Sequence, residues 1–135
     1  MEETYRITIN NHPFRFDCRS WGTRRGFAHG VELWDTGEWS RLAEAKCFYL
    51  NRTWECYNFQ TVMLEAIHKA QNNRVTEIWE NLQRLYGWER ITKKRREELD
   101  KRLAEDEYME TLKALYDEVK KVHPAWERWE WRRVE

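Results

Sequence analysis

The sequence predicts an α+β fold: a four-stranded antiparallel β-meander packed by a helix and followed by a helical C-terminal extension. Up to about residue 50, apolar residues alternate with polar ones, a period that buries one face of a strand. Beyond that point the apolar residues recur at spacings of three and four, which is the helical period. We therefore expect a sheet-helix core over residues 1–87 and a long helix with a Trp-rich tail over residues 88–135.

The four predicted strands are separated by turn-forming residues. Asn10, Asn11 and Pro13 lie between the first two alternating segments, and Asn tolerates the left-handed conformation that a tight hairpin requires. A loop is expected over residues 21–26, and Asp35–Gly37 makes a further turn. The strands are expected over residues 5–9, 14–19, 27–34 and 41–50.

The first predicted helix follows the fourth strand and ends at Gln71–Asn73, because these side chains compete for backbone hydrogen bonds. A second helix is then expected from Thr76 to Gly87, where glycine suits the left-handed C-terminal position. Three residues compete to cap the start of the first helix: Asn51, Thr53 and Asn58.

A third helix is expected from its cap at Thr92 to about residue 122, followed by Pro124. It would be about 45 Å long, so it projects, bends near residues 105–107, or packs against a second copy. A basic cluster lies at its start and an acidic block further along, so the charges are placed without regard to the helix dipole. This order, basic and then acidic, favours antiparallel self-pairing or a complementary partner. A solvated charged helix is the alternative. The charged residues are Arg90, Lys93, Lys94, Arg95 and Arg96, then Glu105, Asp106, Glu107 and Glu110.

Charge and hydropathy exclude several classes of protein. The 135 residues hold 24 basic and 24 acidic side chains, so the chain is neither histone-like nor an acidic mimic of DNA. No apolar run approaches a membrane span, and the N-terminus lacks the features of a signal peptide. We expect a cytoplasmic protein that does not engage a membrane.

No motif indicates catalysis or a cofactor. The three cysteines form no Cys-x-x-Cys pair, and no Cys or His residues have the spacing of zinc ligands. The sequence contains neither a Gly-x-Ser-x-Gly elbow nor a glycine-rich phosphate loop. We therefore predict a protein that is not an enzyme, with no catalytic residues, no metal site and no cofactor.

Aromatic and basic residues indicate binding. Nine tryptophans are more than a core of this size can hide, and Trp is common at binding hot spots. The predicted partner-binding residues combine the basic cluster with the C-terminal tryptophans: Arg90, Lys93, Lys94, Arg95, Arg96, Trp126, Trp129 and Trp131.

A second set of residues is compatible with direct binding of nucleic acid by the sheet, because cations follow phosphates while rings stack on bases. The alternative is an ordinary polar sheet face whose arginine stems cover apolar surface. The set comprises Arg15, Arg19, Trp21, Arg24 and Arg25.

Residues 45–63 include the run Asn51-Arg52-Thr53-Trp54-Glu55, at the predicted passage from strand to helix, and a following Phe59-Gln60 pair. This segment resembles one in small orphan proteins of bacteriophages and conjugative elements. The resemblance implies a mobile-element setting, in which such proteins antagonise host defence, as anti-CRISPR and anti-restriction proteins do, or assist replication.

These observations lead to one functional hypothesis and one alternative. The hypothesis is a non-catalytic phage or mobile-element protein in the host cytoplasm. It would inhibit or modulate a host nucleic-acid-processing defence complex, a protein or ribonucleoprotein, as an anti-CRISPR-like inhibitor. The alternative is an accessory protein that binds nucleic acid directly with its basic, aromatic sheet face. A homodimer through the long helix is compatible with both.

Overall fold

The computed structural model describes residues 2–24, 26–50, 59–121 and 133–134. Its strands are β1 (Glu2–Ile9), β2 (His12–Thr23), β3 (Gly26–Asp35), β4 (Ser40–Leu50) and β5 (Arg133–Val134), and its helices are α1 (Phe59–Tyr86), α2 (Lys93–Glu105) and α3 (Glu107–Lys121). The strands form one antiparallel sheet in the order β4-β3-β2-β1-β5. The predicted α+β class and four-stranded meander are confirmed. None of the described helices is long and apolar enough to cross a membrane.

Two of the connections between strands were predicted with different accuracy. The first hairpin is closed by Asn10 and Asn11 at φ values of 49° and 66°, the pair of left-handed residues that a two-residue type I′ turn needs. The predicted loop over residues 21–26 is shorter than expected, because β2 continues to Thr23 and β3 begins at Gly26. The two-residue β5 beside β1 was not predicted, since two residues carry no pattern.

Helix α1 covers one face of the sheet, and α3 packs against α1. Strand residues of one parity point into this core, and α3 supplies Leu112, Leu115 and Val119 to it. The C-terminal helical part therefore adds to the core of the sheet. The largest fully buried side chains from the sheet and α1 are Tyr5, Phe14, Phe16, Val31, Leu33, Val62, Met63 and Ile67.

The predicted end of the first helix at Gln71–Asn73 is wrong. Helix α1 continues without a break for 28 residues, so Thr76 lies inside it and begins no second helix. Asn73 donates from Nδ2 to the carbonyl of Leu42 at 3.1 Å, so its amide is used by the sheet and does not compete with the helix backbone. The three candidate caps of the first helix lie outside the described residues.

The predicted third helix bends at Asp106, which confirms one of the three alternatives for it. Asp106 has an extended backbone, with φ −79° and ψ 113°, between α2 and α3. Thr92 caps α2 as predicted, accepting from the Arg95 N–H at 3.3 Å. Because α3 begins after Asp106, Glu107 and Glu110 occupy its first turn, where the helix dipole favours acidic residues. The expectation that the acidic block ignores the dipole is therefore wrong for Glu107 and Glu110, whereas Glu105 is the last residue of α2, where the dipole disfavours an acid.

Candidate functional site

An exposed apolar patch lies where α1 ends and α2 begins. Leu85, Tyr86 and Ile91 are 67%, 50% and 47% exposed, and among the described residues the other large hydrophobic side chain this exposed is Trp39. Gly87, at φ 65°, ends α1 as predicted and directs the chain away from it. We call the surface formed by residues 85–96 the junction surface.

The aromatic rings of the junction surface are packed in a defined cluster. Trp88 stacks on Tyr86, with ring centroids 5.0 Å apart, and lies 5.9 Å from the ring of Trp79. The guanidinium of Arg95 lies over Trp88 at 5.4 Å, and Arg102 donates to the Tyr86 hydroxyl at 3.4 Å. These contacts pre-order rings that solvent reaches, which lowers the entropic cost of binding a partner.

The five predicted cations follow directly on this apolar patch. Arg95 donates to the Arg90 carbonyl at 2.7 Å, and Arg96 pairs with Asp100 at 3.3 Å. Lys93 and Lys94 are exposed in the first turn of α2, which holds no acidic residue. Cations at a helix N-terminus oppose the dipole, so this arrangement concentrates positive potential at some cost in helix stability.

The structure thus brings together the basic half of the predicted partner-binding set. The other half, Trp126, Trp129 and Trp131, lies outside the described residues. Sequence reasoning missed the aromatic half of the junction surface. A sequence pattern could have identified these aromatic residues, because Tyr86 and Trp88 flank the helix-ending Gly87 immediately before the basic run.

A second candidate surface is the outer face of the sheet, opposite α1. Arg15, Arg19 and Trp21 all point to this face because they alternate along β2, and Trp34 lies opposite Arg15 on β3. Arg15 lies over the Trp34 ring at 5.3 Å and Arg19 over the Trp21 ring at 5.0 Å. Three of the five residues of the predicted nucleic-acid set therefore share one surface. Arg24 is exposed in the following turn, and Arg25 lies outside the described residues.

Carboxylates alternate with these cations on the outer face. Asp17 pairs with Arg15 at 3.1 Å, and Glu32 and Glu44 pair with Arg41 at 3.6 and 3.7 Å. Two neighbouring rows of residues across the strands carry opposite charges: the first holds Arg6, Arg15 and Arg41, and the second holds Asp17, Glu32 and Glu44. The next row is mixed, with Glu2 beside Arg19 and Lys46. A phosphate backbone on this face would meet carboxylates one row from each cation, so the outer face suits a polyanion less well than the junction surface does.

A buried polar cluster joins the end of the sheet to α3. The carboxylate of Asp35 is fully buried and accepts from the Tyr108 hydroxyl at 2.8 Å and the Gly37 N–H at 3.0 Å. The half-exposed His12 lies 3.6 Å from the same carboxylate. Burial, together with the nearby Asp35 charge, raises the pKa of Tyr108 far above its usual value, so the phenol remains a hydrogen-bond donor. The cluster holds two elements together.

The environment of Cys18 disfavours its nucleophilic thiolate form. Cys18 is buried in the sheet, and burial beside the carboxylates of Glu3 and Asp17 raises the pKa of its thiol far above neutrality. Cys47 lies on β4 and is half-buried. Among the described residues no group of three or more His, Cys, Asp or Glu could hold a metal ion, and Cys56 lies outside them.

Comparison of the chain with protein-family models, curated proteins and solved structures gives no significant match. The two surfaces described above are therefore the basis of the functional argument.

Proposed function

We propose that this chain is a non-catalytic binding protein that docks through the junction surface on an acidic surface of a macromolecular partner. The observation that carries the proposal is the exposure of Leu85, Tyr86 and Ile91 within a few residues of five cations in the sequence. A few large side chains, most often Trp, Tyr and Arg, supply most of the energy at interfaces, and surrounding charges set orientation and association rate. The junction surface combines both.

The partner we propose is a nucleic-acid-processing defence complex of a host cell, a protein or ribonucleoprotein that the chain inhibits or modulates in the cytoplasm. Two features support this choice. A cationic and aromatic surface is complementary to the acidic surfaces and the bound polyanions of such complexes. The resemblance of residues 45–63 to orphan proteins of phages and conjugative elements is the second, and it suggests an anti-CRISPR-like role.

Direct nucleic-acid binding by the outer face of the sheet is the second candidate. The observation that favours it is the alignment of Arg15, Arg19 and Trp21 with Trp34 on a face that the helices leave uncovered. The interleaved carboxylates are the reason to rank it second.

The test compares charge reversal on the junction surface with a matched charge reversal on α3. Lys93→Glu combined with Lys94→Glu should weaken capture of the partner by at least about tenfold, since two attractive contacts become repulsive. Lys113→Glu with Lys120→Glu makes the same change in net charge on exposed positions of α3 and should leave capture unchanged. Captured proteins are identified and quantified by mass spectrometry from a bacterial host lysate.

A variant of the sheet face, Arg19→Ala, decides between the two candidates. The anisotropy of labelled single- and double-stranded oligonucleotides is measured at two salt concentrations. We expect no salt-sensitive binding that depends on Arg19. If salt-sensitive binding is found and Arg19→Ala abolishes it, the sheet-face candidate replaces the first. Equal capture by the junction variant and the α3 control would contradict the junction surface. Capture without any nuclease or polymerase component would contradict the proposed partner.

A further inference from the structure

Strand β4 is an edge strand, and the described residues place no strand on its outer side. It is 11 residues long and contains no proline. Asn73 occupies one of its carbonyls, that of Leu42. Long edge strands present unpaired N–H and C=O groups that pair with another strand, unless prolines, inward-pointing charges, edge lysines or β-bulges hinder it. On β4 the register irregularity is confined to the segment 41–43, and the charged Glu44 and Lys46 point to the outer face, where opposite charges on a second strand can pair with them.

A second copy of β4 can pair with this edge in few registers. A two-fold axis perpendicular to the sheet keeps the outer face of both copies on the same side. Residues that lie opposite each other must then point to the same face, because side chains alternate along a strand. Ala43 and Ala45 point inward, whereas Glu44 and Lys46 point outward. The central registers therefore place Glu44, Ala45 or Lys46 opposite its own copy.

Charge selects one of these three registers. Centring on Glu44 opposes two carboxylates, and centring on Lys46 opposes two ammonium groups, both of which are destabilising. Centring on Ala45 places Glu44 opposite Lys46 of the second copy, and Lys46 opposite Glu44 of the second copy. This register alone among the three makes two attractive pairs.

The helices fit the same arrangement. Helix α1 packs over β3 and β4 on the inner face. With strands about 4.8 Å apart, two such helices related by the axis would lie about 10 Å apart, which is the spacing of packed helices. The continuous sheet therefore brings α1 of each copy into contact without moving it off its own strands.

From these observations we infer that the protein forms a two-fold homodimer by antiparallel pairing of β4 with β4, centred on Ala45, in one continuous sheet. The inference does not rest on the proposed function, because none of the β4 residues that carry it belongs to the junction surface. It also differs from pairing through one long helix, since that helix is divided at Asp106.

The test is a charge swap followed by light scattering with size-exclusion chromatography. The wild-type chain should be a dimer at about 100 μM. Glu44→Lys and Lys46→Glu should each weaken the dimer about tenfold, because each single change turns both unlike pairs into like pairs. The double variant with both changes restores two unlike pairs and should return the dissociation constant to near the wild-type value.

Lys113→Glu serves as the control, since it reverses one exposed charge on α3 and should leave dimerisation unchanged. Circular dichroism verifies that every variant is folded, which these exposed positions should permit. A monomeric wild type at about 100 μM would overturn the inference. A dimer that both single variants leave intact, or that the double variant fails to restore, would overturn it equally.

Discussion

Asp35 shows how a single buried charge is accommodated in this protein. Its carboxylate lies at the end of β3, fully buried, and receives hydrogen bonds from Tyr108 on α3 and from the Gly37 backbone. A buried carboxylate without such donors would cost several kcal/mol. The Tyr108 hydroxyl therefore both satisfies the charge and fixes where α3 lies against the sheet.

Tyr108→Phe tests this role, since it removes one hydroxyl and leaves the ring. We expect the free energy of unfolding to fall by roughly 1–3 kcal/mol, because the buried carboxylate loses a donor. Tyr116→Phe, a partly buried position on the same helix, should change it by less than about 0.5 kcal/mol. Urea denaturation followed by circular dichroism measures both. Equal effects of the two variants would contradict the role of the Tyr108–Asp35 hydrogen bond.

Trp21 shows why residue type alone did not assign a role. Its ring packs against Gly30, where a Cβ atom would lie only 3.1 Å from the ring, and the guanidinium of Arg19 lies over it. A large ring that fills the space beside a strand glycine is a structural device. The sequence placed Trp21 in a loop, whereas it lies within β2 on the outer face, and its contact with Gly30 depends on strand register.

At the scale of elements, features set by neighbouring residues were predicted correctly, whereas features set by contacts between residues far apart in the sequence were not. The strands were predicted because alternation is local, and the Asn10–Asn11 turn because left-handed conformations depend on residue type. The predicted break at Gln71–Asn73 was wrong because the partner of Asn73 is on β4, far away in sequence. The junction surface was half predicted: its cations form a visible run, whereas exposure of Tyr86 and Ile91 depends on how α2 packs.

The boundary between α2 and α3 is held by a single ion pair. Arg74 on α1 donates to both carboxylate oxygens of Asp106, at 2.7 and 2.9 Å, and Asp106 also caps α3 by accepting from the Met109 N–H. The hydrogen bonds from Arg74 are the main reason that the pKa of Asp106 lies below its ordinary value. The bend in the chain therefore depends on the ionised carboxylate.

Asp106→Asn isolates this charge, because asparagine is also a good helix cap. We expect a loss of roughly 1 kcal/mol at neutral pH, compared with almost none for the control Asp100→Asn on the exposed face of α2. A depressed pKa stabilises the fold above the unfolded-state value and ceases to do so as the pH falls through the folded-state value. The difference between wild type and Asp106→Asn should therefore shrink below about pH 4. A difference that is constant with pH would contradict the ionic role.

At the scale of the whole molecule, burial divides the described chain into two parts. The sheet, the first half of α1 and α3 share one core. The second half of α1 and all of α2, which we call the distal arm (residues 71–105), bury only Leu82 and Leu99 between them. The junction surface lies on this arm. Its exposed side chains are thus carried by the part of the described molecule that buries few apolar side chains.

Hydrogen exchange should resolve these two parts. Regions with few buried apolar contacts open locally at lower free energy than the core, so the amides of α2 should exchange well before those of β2 and α3. Leu99→Ala removes one of the two buried side chains of the arm, and should accelerate exchange in α2 while β2 keeps its protection. Mass spectrometry of exchanged peptides measures both effects. Equal protection of α2 and β2 in the wild type would show that the distal arm and the core unfold as one unit. Loss of protection in β2 upon Leu99→Ala would show the same. In either case the junction surface would be as rigid as the sheet.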